Sequence, residues 1–221
     1  MEQPNALVKV TCLITREAVT DDRKTSIELL LIQHPHAGIQ LPAGTAEPHE
    51  DVRQAAWREA DEETGLHEFV CCNEIGRQVV PLPAGQHILY QQAKVYSRPD
   101  FSSFQWAEIR RGITVQEERR HGDFVQVTYM EGDRYPEPNY ITYQITGWVE
   151  EARLVSQVSR HFYHFHVDHY RDRWEHEADQ HMFQCFWSPL DRLPQIVVPQ
   201  DQWLKYVTDD LEYDWMKPIR Q

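Results

Sequence analysis

The chain is 221 residues long, enough for one large domain or one domain with a sizeable insertion at roughly 150 residues per domain. Hydrophobic residues make up 41% and charged residues 26%, which excludes wholesale disorder. Lys and Arg number 22 against 35 Asp and Glu, a formal charge of −13; this argues against a dedicated nucleic-acid or anionic-membrane binder but not against a polyphosphate substrate accompanied by divalent cations.

In chain order, Met1-Glu2-Gln3-Pro4-Asn5 shows neither a basic leader nor a cleavage site. No stretch approaches the ~20 apolar residues of a bilayer crossing. Residues 7–15 alternate and are rich in β-branched side chains, predicting a strand, with Cys12 within it. Residues 21–24 are a polar turn, and 27–32 a second strand buried on both faces. The two prolines and two glycines of 34–44 predict a loop. A helix follows over 50–64, closed by Gly65 at the position where glycine ends helices. Further strands are expected at 88–97, 124–130, 140–149, 159–167 and 183–187, with a turn at 133–139. A terminal helix over 200–210 puts Trp203, Leu204 and Val207 on one side. The mixture points to an α+β or α/β/α layout. Cys71, Cys72 and Cys185 join Cys12 in no CxxC pair, so the four read as reduced thiols of a cytoplasmic protein.

Residues 50–64 carry the chemistry. On a helical wheel with Glu59 at zero, Glu63 falls near about +40° and Glu62 near about −60°. Val52, Ala55 and Ala56 fall within about 60° of Glu59, so the three glutamates continue the apolar face, while Asp61 points to solvent. Three clustered inward carboxylates repel one another and cost several kcal/mol each to desolvate. Arg58 alone does not neutralise three, whereas hard divalent cations take carboxylate oxygens readily.

The spacing G-x5-E-x7-R-E-U-x-E-E-x-G-U (U aliphatic) is matched without a gap by Gly44, Glu50, Arg58, Glu59, Ala60, Glu62, Glu63, Gly65 and Leu66. It resembles the Nudix box, and seven single-residue requirements put a chance match at about 10⁻⁶ for the chain. The resemblance implies a mixed sheet between helices, an α/β/α sandwich, carrying a loop–helix–loop. It implies a hydrolase using Mg²⁺ or Mn²⁺ to cleave the pyrophosphate of a nucleoside diphosphate linked to a moiety X. By the same resemblance Glu59, Glu62 and Glu63 match metal-binding and catalytic glutamates, and Glu59 is also a candidate base. Arg58 and Glu50 match bracing positions, and Gly44 and Gly65 match turns. The residue before Gly44, often a second glycine whose carbonyl binds metal, is Ala43, where a positive φ would be strained. Some relatives place an extra metal-binding or base carboxylate where Glu175 and Glu177 stand, although simple exposure is the commoner reading of acids in a polar loop.

Arg160 to His169 is the densest part of a chain with 12 histidines. Consecutive ligands on one strand face splay by about 6.5 Å, too far to chelate one ion. A substrate-facing or partly buried polar strand is favoured, with Arg160 and His164 as phosphate-contact candidates. Residues 78–159 exceed the length a Nudix core needs, and are read as an insertion in a single domain spanning 1–221. Either this insertion shapes a substrate pocket or a homodimer interface, or it merely extends the sheet. Tyr129, Tyr140, Tyr143 and Trp148 are its candidate base-stacking residues. The expected partner is a small-molecule nucleotide, with neither nucleic acid nor membrane. The rival from another class is a non-catalytic Nudix-like module sensing a nucleotide or ADP-ribose and regulating a partner, against which the full glutamate set argues.

Overall fold

The computed structural model describes residues 5–19, 25–133, 138–168, 171–178 and 181–215, with side chains up to residue 212. The expected turn at 21–24, part of that at 133–139, and His169 lie outside them. The elements run β1 (Leu7–Val19), β2 (Thr25–His34), β3 (Gly38–Gln40), β4 (Ala43–Thr45), α1 (Val52–Thr64) and β5 (Cys71–Pro81). Next come β6 (Gln86–Leu89), β7 (Ala93–Tyr96), β8 (Gln105–Ile109), β9 (Thr114–His121), β10 (Phe124–Gly132), β11 (Ile141–Glu150) and β12 (Leu154–Val155). The chain finishes with β13 (Gln157–His166), β14 (Arg173–Ala178), β15 (His181–Pro189), a 3-10 turn (Gln200–Trp203) and α2 (Leu204–Trp215). It divides into two compact units, one of Lys9–Gln78 with the chain from Arg160 onward, the other of the chain up to Val8 with Val79–Ser159.

The first unit is an α/β/α sandwich on a mixed sheet. Its strands lie in the order β14-β15-β2-β1-β13-β5, with β3 added to β2 and β4 to β1. Strand β1 shows how one sequence serves two layers. The Cys12 thiol donates to the Ala56 carbonyl of α1, whereas Leu13 packs in a core that includes Val207 of α2. Neighbouring strand residues point to opposite faces, so α1 and α2 cover opposite sides. Leu29 to Ile32 are each no more than 1% exposed, as the unbroken apolar run predicts for a strand covered on both faces. On β13, Phe162 stacks on Tyr206 of α2, while Phe165 meets Trp57 and Phe69 on the α1 side.

The second unit is a seven-stranded sheet in the order β12-β6-β9-β10-β11-β7-β8. Leu89, Val95, Ile109, Val125, Val127, Ile145 and Val149 form its core. The expected strand at 88–97 is in fact the end of β6 and the whole of β7, and the loop at 34–44 contains β3 and β4. Strands β5, β8, β9, β12 and β14 were not anticipated. In β9 only Val115 is buried. Its order comes from ladders to β6 and β10, backbone bonds that leave no mark on side-chain periodicity. No described helix is long and apolar enough to cross a membrane.

Candidate active site

Helix α1 is fixed at both ends by local chemistry. Asp51 caps it, its carboxylate accepting from the amides of Arg53 (3.0 Å) and Gln54 (3.2 Å). At the other end Gly65 adopts the left-handed conformation (φ 71°), and its amide donates to the Asp61 carbonyl at 2.7 Å. Strand β14, read from sequence as a polar loop, completes that end. Trp174 Nε1 donates to the Thr64 carbonyl at 2.7 Å, and His176 Nε2 lies 2.9 Å from the Glu62 carbonyl. These are carbonyls a helix C-terminus leaves without intrahelical partners. Glu175 and Glu177 alternate with these two residues on β14 and are exposed.

Along α1 the buried residues are Ala55, Ala56, Glu59, Ala60 and Thr64. Glu59 is thus a carboxylate within the apolar stripe. Burial raises its carboxyl above the usual range, and neighbouring Arg58 opposes that only in part. Glu59 Oε1 accepts from the Thr45 amide at 3.1 Å and from Arg58 Nη1 at 3.0 Å. A Cβ on Gly44 would stand 1.9 Å from the Glu59 carboxyl carbon. The glycine is required by that close approach, since Gly44 has no positive φ. Ala43 likewise has none, so the strain that a positive φ would bring does not arise: both residues lie in the extended strand β4.

Glu63 Oε2 accepts from the Ala43 amide at 2.7 Å. The Cys12 thiol is raised by burial and then by Glu63 and Glu59; the Cys185 thiol is pushed up to about 12 by burial and then by Glu63. None of the four cysteines forms a disulfide. Glu62 is more exposed (57%) and accepts from Arg58 Nη1 at 2.8 Å. Arg58 is the common brace. It grips Glu50 through Nε (2.9 Å) and Nη2 (3.0 Å), touches Glu59 and Glu62, and donates to the Thr45 carbonyl. The Glu50 contact is the foremost of those that raise its pKa. Asp61 lies apart and pairs with His67 at 2.7 Å.

These carboxylates are turned onto Arg58 and the β4 amides. Among the described residues no three acid, His or Cys groups are gathered as a coordination cluster. The donor chemistry nonetheless suits a hard divalent cation: of the three glutamates of α1, Glu59 and Glu62 share one guanidinium with Glu50, Glu63 rests on a backbone amide, and the buried Glu59 is under-compensated.

The other candidates sort clearly. Arg160 on β13 is half-buried, donates from Nη1 to Thr11 Oγ1 at 2.9 Å, and lies 4.2 Å from the centre of the Trp203 ring. His164 is buried, its Nε2 2.7 Å from Thr15 Oγ1 and its Nδ1 2.7 Å from Asp210, so both ring nitrogens are engaged. Tyr143 lies in the other unit, 50% exposed, with Tyr140 also exposed. Trp148 is 6% exposed and packs with Tyr96 and Phe124, which makes it a core residue.

A family model described as NUDIX domain matches residues 10–133, more than half of the chain. The chain belongs to the Nudix family, and is a hydrolase of the phosphorus-anhydride class. No curated protein matches it by sequence. Among solved structures it is similar to an Ap4A hydrolase from C. elegans, at 14% identity over 94% of this chain and 99% of that one, with a TM-score of 0.44. It is also similar to a mutT/nudix family protein from Listeria innocua, at 14% identity over 95% and 96% of the two chains, again with a TM-score of 0.44.

Proposed function

We propose that this Nudix hydrolase is a divalent-metal-dependent pyrophosphatase acting on a nucleoside diphosphate linked to a second moiety, with Glu59, Glu62 and Glu63 as its metal-holding carboxylates. The observation that carries the reading is Glu59: a carboxylate buried in an apolar stripe, against a glycine that leaves room for nothing larger. Such burial costs stability unless opposite charge compensates it, and a bound cation would add to what Arg58 supplies. Bound Mg²⁺ or Mn²⁺ would neutralise diphosphate oxygens and acidify a water. The chain's own groups supply the rest. Arg58 holds Glu59 and Glu62 in place through a guanidinium itself clamped by Glu50. The Thr45 and Ala43 amides orient Glu59 and Glu63. Glu59 is also the candidate to take a proton from that water, as a carboxylate placed beside it could. On this reading Val79–Ser159 is an elaboration of the one Nudix domain, and bears on substrate choice.

The test is a panel of nucleoside diphosphate derivatives with Mg²⁺ and Mn²⁺, read by phosphate-product analysis. Glu63→Gln is expected to lower kcat about 100-fold or more, and Asp61→Asn to change it less than about threefold. Equal activity of the two variants would remove the metal assignment.

A further inference from the structure

The chain has a surplus of acids, yet among the described residues none is paired with one of its inward-placed arginines. The half-buried Arg16 lies on Glu28 and Asp172, and Arg58 lies on Glu50, Glu59 and Glu62. Arg160 is also half-buried, but no described residue brings a carboxylate to it. Its described contacts are the Thr11 hydroxyl and the Trp203 face. Taking a guanidinium out of water without an anion is unfavourable, and a cation–π contact with one neutral hydrogen bond offsets only part of that. Desolvation accordingly pulls its pKa down to about 10, where it remains charged at neutral pH.

Its place in the fold is specific. Thr11 is the ladder partner of Ala43, whose amide holds Glu63. Paired residues on adjacent antiparallel strands are about 5 Å apart. The turn bearing Trp203 is tied to the same loop, since the Leu41 amide donates to Gln200 Oε1 at 2.6 Å. The Cys12 amide donates to the Pro42 carbonyl at 2.8 Å. Residues 41–45 therefore carry the glutamates on their α1 side and Arg160 with Trp203 on their α2 side. Of the five N–H donors of the guanidinium, one is assigned to Thr11.

We propose that Arg160, backed by Trp203 and steadied by Thr11, is a phosphate-binding residue of this site and takes the phosphoryl group of the substrate diphosphate that lies away from the glutamates. This rests on the pyrophosphatase reading for the identity of the ligand. The guanidinium fork matches two oxygens of one phosphoryl group, and the aromatic face keeps it flat and oriented. Such a contact, made alike in ground and transition states, acts on KM and leaves kcat.

The experiment uses imidodiphosphate, a non-hydrolysable diphosphate, titrated calorimetrically into the full chain with and without Mg²⁺, alongside steady-state kinetics and thermal melts. Arg160→Gln is expected to weaken imidodiphosphate binding about tenfold or more and to raise KM by a similar factor, with kcat within about threefold. Arg160→Lys keeps the charge and the stem but not the fork, and is expected to lose about fivefold. It covers the case in which the glutamine variant does not fold. No binding of imidodiphosphate by the wild type, or a folded variant of either kind as tight as wild type, overturns the proposal. Arg160-dependent imidodiphosphate binding in a protein that hydrolyses nothing in the panel would sink the pyrophosphatase reading and leave this one standing. Glu63-dependent hydrolysis indifferent to Arg160 would do the reverse.

Discussion

Glu59 sets a stability cost against a use. Its Oε1 accepts two hydrogen bonds that a glutamine carbonyl would also accept, so Glu59→Gln removes the buried charge and keeps the contacts. In the absence of metal the variant is expected to melt a few degrees above the wild type while losing activity, the trade-off of strained functional sites. A metal-free melting curve at or below that of the wild type would show that the carboxylate is adequately compensated as it stands. At this scale the sequence was informative. The spacing of Arg58, Glu59, Glu62 and Glu63 placed them together, because helix geometry converts spacing directly into a face. Glu62, the farthest of the three from the centre of the apolar stripe on the helical wheel, is also the most exposed of them. The sequence left the backbone conformation of Ala43 open, because that depends on pairing with Thr11, a partner 32 residues away.

Elements that hold the site without touching it were harder to read. The stretch Trp174-Glu-His-Glu177 advertises its acids, yet its described role belongs to Trp174 and His176, whose acceptors are backbone carbonyls of α1. A backbone acceptor has no residue type, so no motif could announce it. Trp174→Phe is expected to cost about 1 kcal/mol, or about 2–4 °C in Tm, by leaving the Thr64 carbonyl unsatisfied. An unchanged Tm would mean that solvent replaces the indole freely. In the other unit, β9 is pinned by Glu117, which receives Arg120 Nε and Nη2 at 2.7 Å each and lies 2.6 Å from His87 Nε2. The Arg120 contact foremost, with His87, pulls its carboxyl down to about 2. A depressed carboxyl stabilises the fold above its ordinary pKa, about 4.5, and loses that contribution as pH falls through about 2. The Tm difference between wild type and Glu117→Gln is therefore expected to be constant above about pH 5 and to close between 4.5 and 2. A difference independent of pH across that window would refute the assignment.

For the whole molecule, the aromatic residues of Val79–Ser159 separate into two kinds that sequence alone could not distinguish. Trp148 is core, so Trp148→Ala is expected to cost about 3–5 kcal/mol and to lower Tm sharply. Tyr143 is half exposed, its ring 6.4 Å from that of Tyr129, so Tyr143→Ala is expected to leave Tm within about 2 °C. If the elaboration governs substrate choice, the folded Tyr143→Ala variant changes the ranking of nucleoside diphosphate substrates without changing the metal requirement. An unchanged ranking would assign the tyrosine a purely structural place. That β11 is a strand was legible from its aromatic and β-branched residues, but the side of the sheet that is covered was not, because that is decided by strands far away in the chain.

The amides of Ala43 and Thr45 end directly on the oxygens of Glu63 and Glu59. The peptide backbone of β4 is thereby wired to the charge state of the two carboxylates. Each N–H proton is an internal electrometer: a cation drawing on either carboxylate must compete with it, and the competition registers in that amide's resonance frequency and solvent exchange. Two backbone signals, assigned once, would read the ionic occupancy of the site residue by residue, without a substrate and without altering a side chain.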